Sequence, residues 1–300
     1  MSQLADVRPI GDYTAGPDVR AWRPAVDGVV EAFHARFVAH AYPAHTHDAW
    51  ALLIIDDGAI QYDLDRHHHG AARSTVTLLP PHVAHDGRPA TARGFRKRVI
   101  YLDSTVLGDD LIGPAVDTPA FDDVLLRNRV HRLDLALRTP DDAFEAESRL
   151  ALVRERLAEH LLGGPHRRHS ASGAFGADRT LRRSHADGRR EWRDVAGQLR
   201  DLLDERFRTG ITLAEASHML HAHPAHLVRS FSKAFSLPPH AYLTGRRLDA
   251  ARQLLLAGQP PAEVASAVGF YDQSHLSRHF KRYLGISPAR YARSAGCVSG

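Results

Sequence analysis

Two stretches of the chain spell nearly the same unit. HLVRSFSKAFSLPPHAY covers residues 226–242 and HLSRHFKRYLGISPARY covers 275–291. They agree at His226/His275, Leu227/Leu276, Arg229/Arg278, Phe231/Phe280, Pro239/Pro288 and Tyr242/Tyr291, and Lys233 faces a basic Arg282. In each copy Leu and Phe recur four residues apart, which is the spacing of one helix face. A unit repeated at so short an interval must fold locally and helically.

Punctuation around the copies sharpens the reading. Thr212 N-caps LAEASHML, Pro224 and Pro239 suit first helical positions, Gly258 follows a long helix, Asp272 caps QSHLSRHFKRYL, Gly285 ends it and Ser287-Pro288 opens the last helix. Each copy therefore reads as a helix–turn–helix. In the second, Leu276, Phe280, Tyr283 and Leu284 anchor the later helix and leave Gln273, Ser274, Ser277, Arg278 and Lys281 outward. The outward set of the first copy is His223, His226, Arg229, Ser230 and Lys233. Hydrogen-bonding side chains on a cylinder of helical width are what reading a DNA major groove requires. The intervening segment, residues 239–258, makes a helix ~27 Å long. That suits two reading helices held about one DNA turn, ~34 Å, apart.

Charge agrees with a polyanionic partner. Residues 1–162 hold 18 Lys/Arg against 24 Asp/Glu, whereas residues 191–300 hold 14 against 9. Between them GGPHRRHSASGAFGADRTLRRSHADGRR (163–190) lacks an apolar period and reads as a basic flexible linker. The one cysteine, Cys297, excludes an internal disulfide framework and fits a reducing cytoplasm. No apolar run is long enough for a membrane span, and the N-terminal residues do not read as a secretory signal.

The run AEVASAVGFYDQSHLSRHFKRYLGISPARY resembles the signature of the AraC/XylS family of transcription regulators, and the likeness extends over residues ~192–293. It implies a ligand-responsive, sequence-specific DNA-binding regulator of transcription, expected to be an activator that works with RNA polymerase on double-stranded DNA. Carried over by position, its DNA contacts fall at Ala225, Val228 and Arg229 in the first copy and at Gln273, Ser274, His275 and Arg278 in the second. With the outward residues, the expected DNA-binding set also includes His226, Lys233, Ser277 and Lys281. Ala225 and Val228 depart from the larger or polar residues often found there, although a small apolar side chain can touch a thymine methyl.

Upstream, residues about 29–103 read as short strands, with WALLII and IQYDL as a hairpin about DDG and HHH (67–69) as a solvated hairpin tip. PAHTHDAWALLIIDDG and LLPPHVAHDGRPA resemble the cupin-type sensor domain common in this family. His45, His47 and His85 occupy the places where metal-binding cupins put three histidines, but the glutamate that usually follows is missing. The expectation is therefore no metal and no cofactor, with the histidines as residual metal candidates. Instead a pocket for a small polar organic effector is expected, lined by His47, Trp50, Tyr62, His85, Arg98 and Tyr101. A metal-dependent cupin enzyme on a DNA-binding tail is the alternative; the preferred reading is not an enzyme.

Residues 119–162 turn helical, and Leu150, Val153, Leu157 and Leu161 form one stripe, which packs on the barrel or on the same helix of a second subunit. A homodimer held by these helices is expected. The fold class is thus α+β in two domains. A cupin-like barrel (1–118) is followed by a helical dimerisation segment (119–162), the linker (163–190) and an all-α double helix–turn–helix (191–300).

Overall fold

The computed structural model describes residues 17–139, 143–163 and 195–294. Cys297 and nearly all of the basic linker lie outside them. Among the described residues the N-terminal half contributes ten strands: β1 Asp18–Trp22, β2 Val29–Phe37, β3 Tyr42–His45, β4 Trp50–Gly58, β5 Ile60–Leu64, β6 His67–Ala71, β7 Val76–Leu79, β8 His85–Pro89, β9 Phe95–Leu102 and, after a short helix, β10 Ala120–Phe121. They form a six-stranded sheet in the order β1-β2-β9-β4-β7-β10, facing a four-stranded sheet β3-β8-β5-β6.

DDG is not a hairpin turn. β4 pairs with β7 and β9, whereas β5 pairs with β6 and β8. The turn carries the chain across from one sheet to the other, a corner of the barrel. HHH is likewise no tip. It starts β6 at the edge of the small sheet, and the tip is Asp65-Arg66, both at positive φ.

Strand parity divides the large sheet into two faces. Ala51, Leu53 and Ile55 of β4 with Phe95, Val99 and Tyr101 of β9 point into the barrel. Trp50, Leu52, Ile54, Ile100 and Leu102 point outward into a second core, built with α2 (Val124–Ala136) and α3 (Ala143–Gly163). A short helix, α1 (Ile112–Asp117), completes this layer. The stripe Leu150, Val153, Leu157 and Leu161 belongs wholly to that core, with Val153 and Leu157 fully buried. It is consumed by the chain's own sheet, so the expected dimer face cannot be this stripe.

The C-terminal helices are α4 (residues 195–206), α5 Leu213–Met219, α6 Pro224–Phe235, α7 Pro239–Leu256, α8 Pro261–Ala267, α9 Gln273–Leu284 and α10 Pro288–Ser294. The caps explain the boundaries. Thr212 and Glu215 form a reciprocal capping box on α5, Asp272 accepts from the His275 amide at the start of α9, and Gly285 ends α9 at φ +76°. α7 has 18 residues, long enough to hold α6 and α9 apart.

The two helix–turn–helix units pack differently. Leu227, Phe231 and Tyr242 of the first join Leu199, Leu202 and Leu203 of α4 in a separate core. Leu276, Phe280, Leu284 and Tyr291 of the second are continuous with the barrel core. Gly285 shows how close that docking is: a Cβ there would lie 2.5 Å from Cε1 of Phe37 on β2.

Candidate functional site

The barrel interior opens into a cavity lined from both sides. The barrel supplies His45, His47, Tyr62, His85, Lys97 and Tyr101, and the helical domain closes it with Asp249 and Arg252 of α7 and Tyr283 and Leu284 of α9.

Of the expected effector residues, His47, Tyr62, His85 and Tyr101 line this cavity. Trp50 and Arg98 do not. Trp50 is fully buried on the outer face, where its indole N–H donates to the Leu107 carbonyl at 2.7 Å. Arg98 is also on the outer face, pairing with Asp56 at 2.6 Å and Asp134 at 3.0 Å. Both alternate with residues that do face inward, Ala51 and Lys97, and parity excludes them.

Lys97 was missed in the sequence. Its ammonium lies 4.0 Å from the Tyr42 ring centroid, and among the described residues no carboxylate pairs with it. Burial, with the Arg252 guanidinium adding to it, pulls its pKa down to about 7. Arg252 is held by Glu31 at 2.8 Å and Asp249 at 3.4 Å, and its guanidinium lies 4.3 Å from the Tyr101 ring centroid.

The three histidines cluster at one end of the cavity, one ring nitrogen of each within 4.8 Å of the others. Burial holds His45 and His47 well below the ordinary histidine range, each lowered further by His85, and brings His85 down to about 4. Nδ1 of His45 meets the Pro43 carbonyl at 2.7 Å and Nδ1 of His85 the Val83 carbonyl at 3.0 Å. Nδ1 of His47 faces Asp249 at 3.3 Å. Among the described residues these three form the cluster that could hold a metal.

On the helical domain Arg229, Lys233, Gln273, Ser274, Arg278 and Lys281 are exposed. Ala225, His226, Val228, His275 and Ser277 are half-buried. His275 packs edge-on to Phe270 and beside His279, so its ring is part of the turn. Ser230 is buried, 3.4 Å from His226 Nε2, and does not belong to the outward set.

A barrel with an internal cavity, joined to two helix–turn–helix units with polar outer faces, is the architecture of a transcription regulator with separate ligand-binding and DNA-binding parts. Comparison with known proteins agrees. Residues 27–153 match the AraC-like ligand binding domain, and residues 216–294 match a helix-turn-helix domain. The HTH-type transcriptional regulator YbfI of Bacillus subtilis is 26% identical over 250 residues, 82% of this chain and 86% of its own. LumQ of Photobacterium leiognathi, a probable transcriptional regulator, is 33% identical over 90 residues, which cover 30% of this chain and 36% of LumQ. In fold, the chain is similar to ToxT from Vibrio cholerae at 12% identity and TM-score 0.52, covering 94% of this chain and 99% of that one. The chain belongs to the AraC/XylS family of transcriptional regulators. Among the described residues no helix is long and apolar enough to cross a membrane.

Proposed function

We propose that this regulator is a cytoplasmic, non-enzymatic activator whose effector carries an anionic head on an apolar body. The observation that carries this reading is Lys97. It is a buried amine without a carboxylate partner among the described residues, at a cavity that sets an apolar wall of Phe33, Leu53, Ile60 and Val99 beside its histidines, Asp249 and Arg252. A structure of ToxT is described as bound to unsaturated fatty acid, at 10% identity and TM-score 0.51, covering 94% of this chain and 97% of that one. Because α7 and α9 close the cavity, a long acid entering it would press on both, and moving them off the barrel would pass the signal to the DNA-reading helices.

The DNA contacts in this reading are Arg229 and Lys233 of α6 and Gln273, Ser274, Arg278 and Lys281 of α9, with Ala225, His226, Val228, His275 and Ser277 in supporting contact. Activation proceeds through RNA polymerase. The protein pairs as a homodimer through the outer faces of α2 and α3. Six of nine exposed large apolar side chains among the described residues lie there: Val124, Leu125, Leu135, Phe144, Leu152 and Leu162.

Genome-wide footprinting with and without candidate acids tests the reading, because the genes beside the sites identify the pathway. A protein that protects no discrete sites in either condition contradicts it.

A further inference from the structure

We propose that His45, His47 and His85 bind one divalent first-row transition-metal ion, zinc foremost, with Asp249 of α7 orienting His47 from behind, so that the ion ties the DNA-binding domain to the barrel. This goes beyond the effector reading and stands whether or not an acid binds.

The hydrogen bonds carry it. A carbonyl oxygen only accepts, so His45 and His85 each place their ring proton on Nδ1, toward Pro43 and Val83. Their Nε2 lone pairs are then free. Metal-binding imidazoles are held in this way, with the far nitrogen donating to a carbonyl or carboxylate that fixes tautomer and ring orientation. Asp249 does for His47 what the two carbonyls do for the others.

Nε2 of His45 and Nε2 of His47 lie 3.2 Å apart. That is a hydrogen-bond distance, but with the ring protons of both on Nδ1 the two lone pairs face each other and call for a proton or a metal cation between them. Zinc–nitrogen bonds of about 2.0–2.1 Å at the tetrahedral angle put two ligand nitrogens ~3.3 Å apart. The wider separations in the cluster, up to 4.8 Å, shorten as the imidazoles swing onto the ion. Three neutral imidazoles suit zinc, cobalt or nickel rather than magnesium or calcium. The cavity has room for the water that completes four-coordination.

The missing glutamate next to His47, which argued against a metal in the sequence, has a counterpart in space: Asp249 lies 202 residues on. It does not ligate. It also accepts from the Asp48 amide at 3.3 Å and pairs with Arg252 at 3.4 Å. An ion that fixes His47 therefore fixes α7.

The experiment uses the full chain stripped with chelator, with exposed His67 and His68 replaced by alanine to remove a competing site. Calorimetric titration with Zn²⁺ should give one ion per chain, and Co²⁺ should give the intense visible spectrum of a four-coordinate nitrogen site. His45→Ala and His85→Ala should abolish uptake. Asp249→Asn should weaken it ~10–100-fold. Loading should slow amide exchange along α7. No uptake, or uptake unchanged in the His45 and His85 variants, overturns the site and leaves a shared proton between the rings. Undiminished affinity in Asp249→Asn overturns the tie between domains. Where circular dichroism shows a variant unfolded, the unsubstituted cluster decides: the weak spectrum of six-coordinate Co²⁺ overturns the site. None of these failures touches the acid-effector reading, which is measured separately through Lys97.

Discussion

Arg252 of α7 and Glu31 of β2 form an ion pair across the two domains at 2.8 Å, with Arg252 at 4% and Glu31 at 0% exposure. Tyr291 of α10 donates to the same carboxylate and lies 3.2 Å from the Arg252 Nε. Burial pushes the Glu31 carboxyl up, and Arg252 opposes it. Removing one partner of such a pair leaves the other charged and dry, at a cost of about 3–5 kcal/mol. Because the pair spans the domains, part of that cost is avoided by undocking. Arg252→Ala should therefore split a single calorimetric unfolding transition into two, for barrel and helical domain. One transition at an unchanged midpoint would mean the docking does not depend on the pair.

A second buried cluster holds the barrel to α2. Asp134, 1% exposed, accepts from His34 at 2.6 Å, Arg98 at 3.0 Å and Arg138 at 2.6 Å. Burial raises its pKa, but these partners outweigh burial and leave it well below the usual carboxylate value. A carboxylate depressed in the folded state contributes stability that is fully present above its unfolded pKa, ~3.9, and is lost progressively as pH falls from there through the lower folded value. Asp134→Asn should destabilise by about 3 kcal/mol at pH 7. The gap to the parent should begin to narrow below about pH 4 and go on narrowing as pH falls toward the much lower folded value, read in denaturant titrations. A gap no smaller at about pH 3 than at pH 7 would show that packing, not charge, is what the substitution removes.

Lys97 offers a pH test of the effector. With its pKa near 7, the ammonium is lost as pH rises through neutrality. Binding of an unsaturated fatty acid should weaken between pH 6 and pH 8, both taken as about one unit either side of that midpoint. Lys97→Met should lower affinity ~10–100-fold at pH 6, as expected for one charge-assisted hydrogen bond of ~1.5–3 kcal/mol, and should flatten the pH profile. Equal affinity for acid and neutral alcohol in the parent protein would remove the anionic head from the proposal.

Which parts of this were legible follows from how local each signal is. The helices of the C-terminal half are written in caps and a four-residue apolar spacing, both readable without knowing any distant partner. WALLII is apolar on both faces because both faces of β4 are covered, so alternation could not tell Trp50 from Ala51. β9 did carry the needed signal. Tyr101 and Lys97 are four apart and share a face, so naming Tyr101 implied Lys97 and excluded Arg98. Asp249 and Arg252 were out of reach. Their place at the cavity is set by how one domain docks on the other, and no spacing within either domain records that.

The two arginines matched across the repeat differ in their surroundings. Arg278 is exposed early on α9 with Gln273 and Ser274 exposed beside it, and Arg229 is exposed on α6 beside half-buried Ala225 and Val228. An arginine so placed either reads guanine O6 and N7 or clamps a phosphate. The two roles separate in binding titrations. If Arg278 reads a base, Arg278→Ala should cost ~1–3 kcal/mol on the cognate site and little on scrambled DNA. If it clamps a phosphate, the same substitution should weaken both alike and reduce the salt slope by ~1. The polar neighbours of Arg278 favour base reading. For Arg229 the neighbours offer a methyl surface rather than further hydrogen bonds, so Arg229→Ala should reduce discrimination less. Titrating both variants against specific and scrambled duplexes at several salt concentrations decides. If both bind the specific duplex as the parent does, with folding intact, α6 and α9 are not the reading helices.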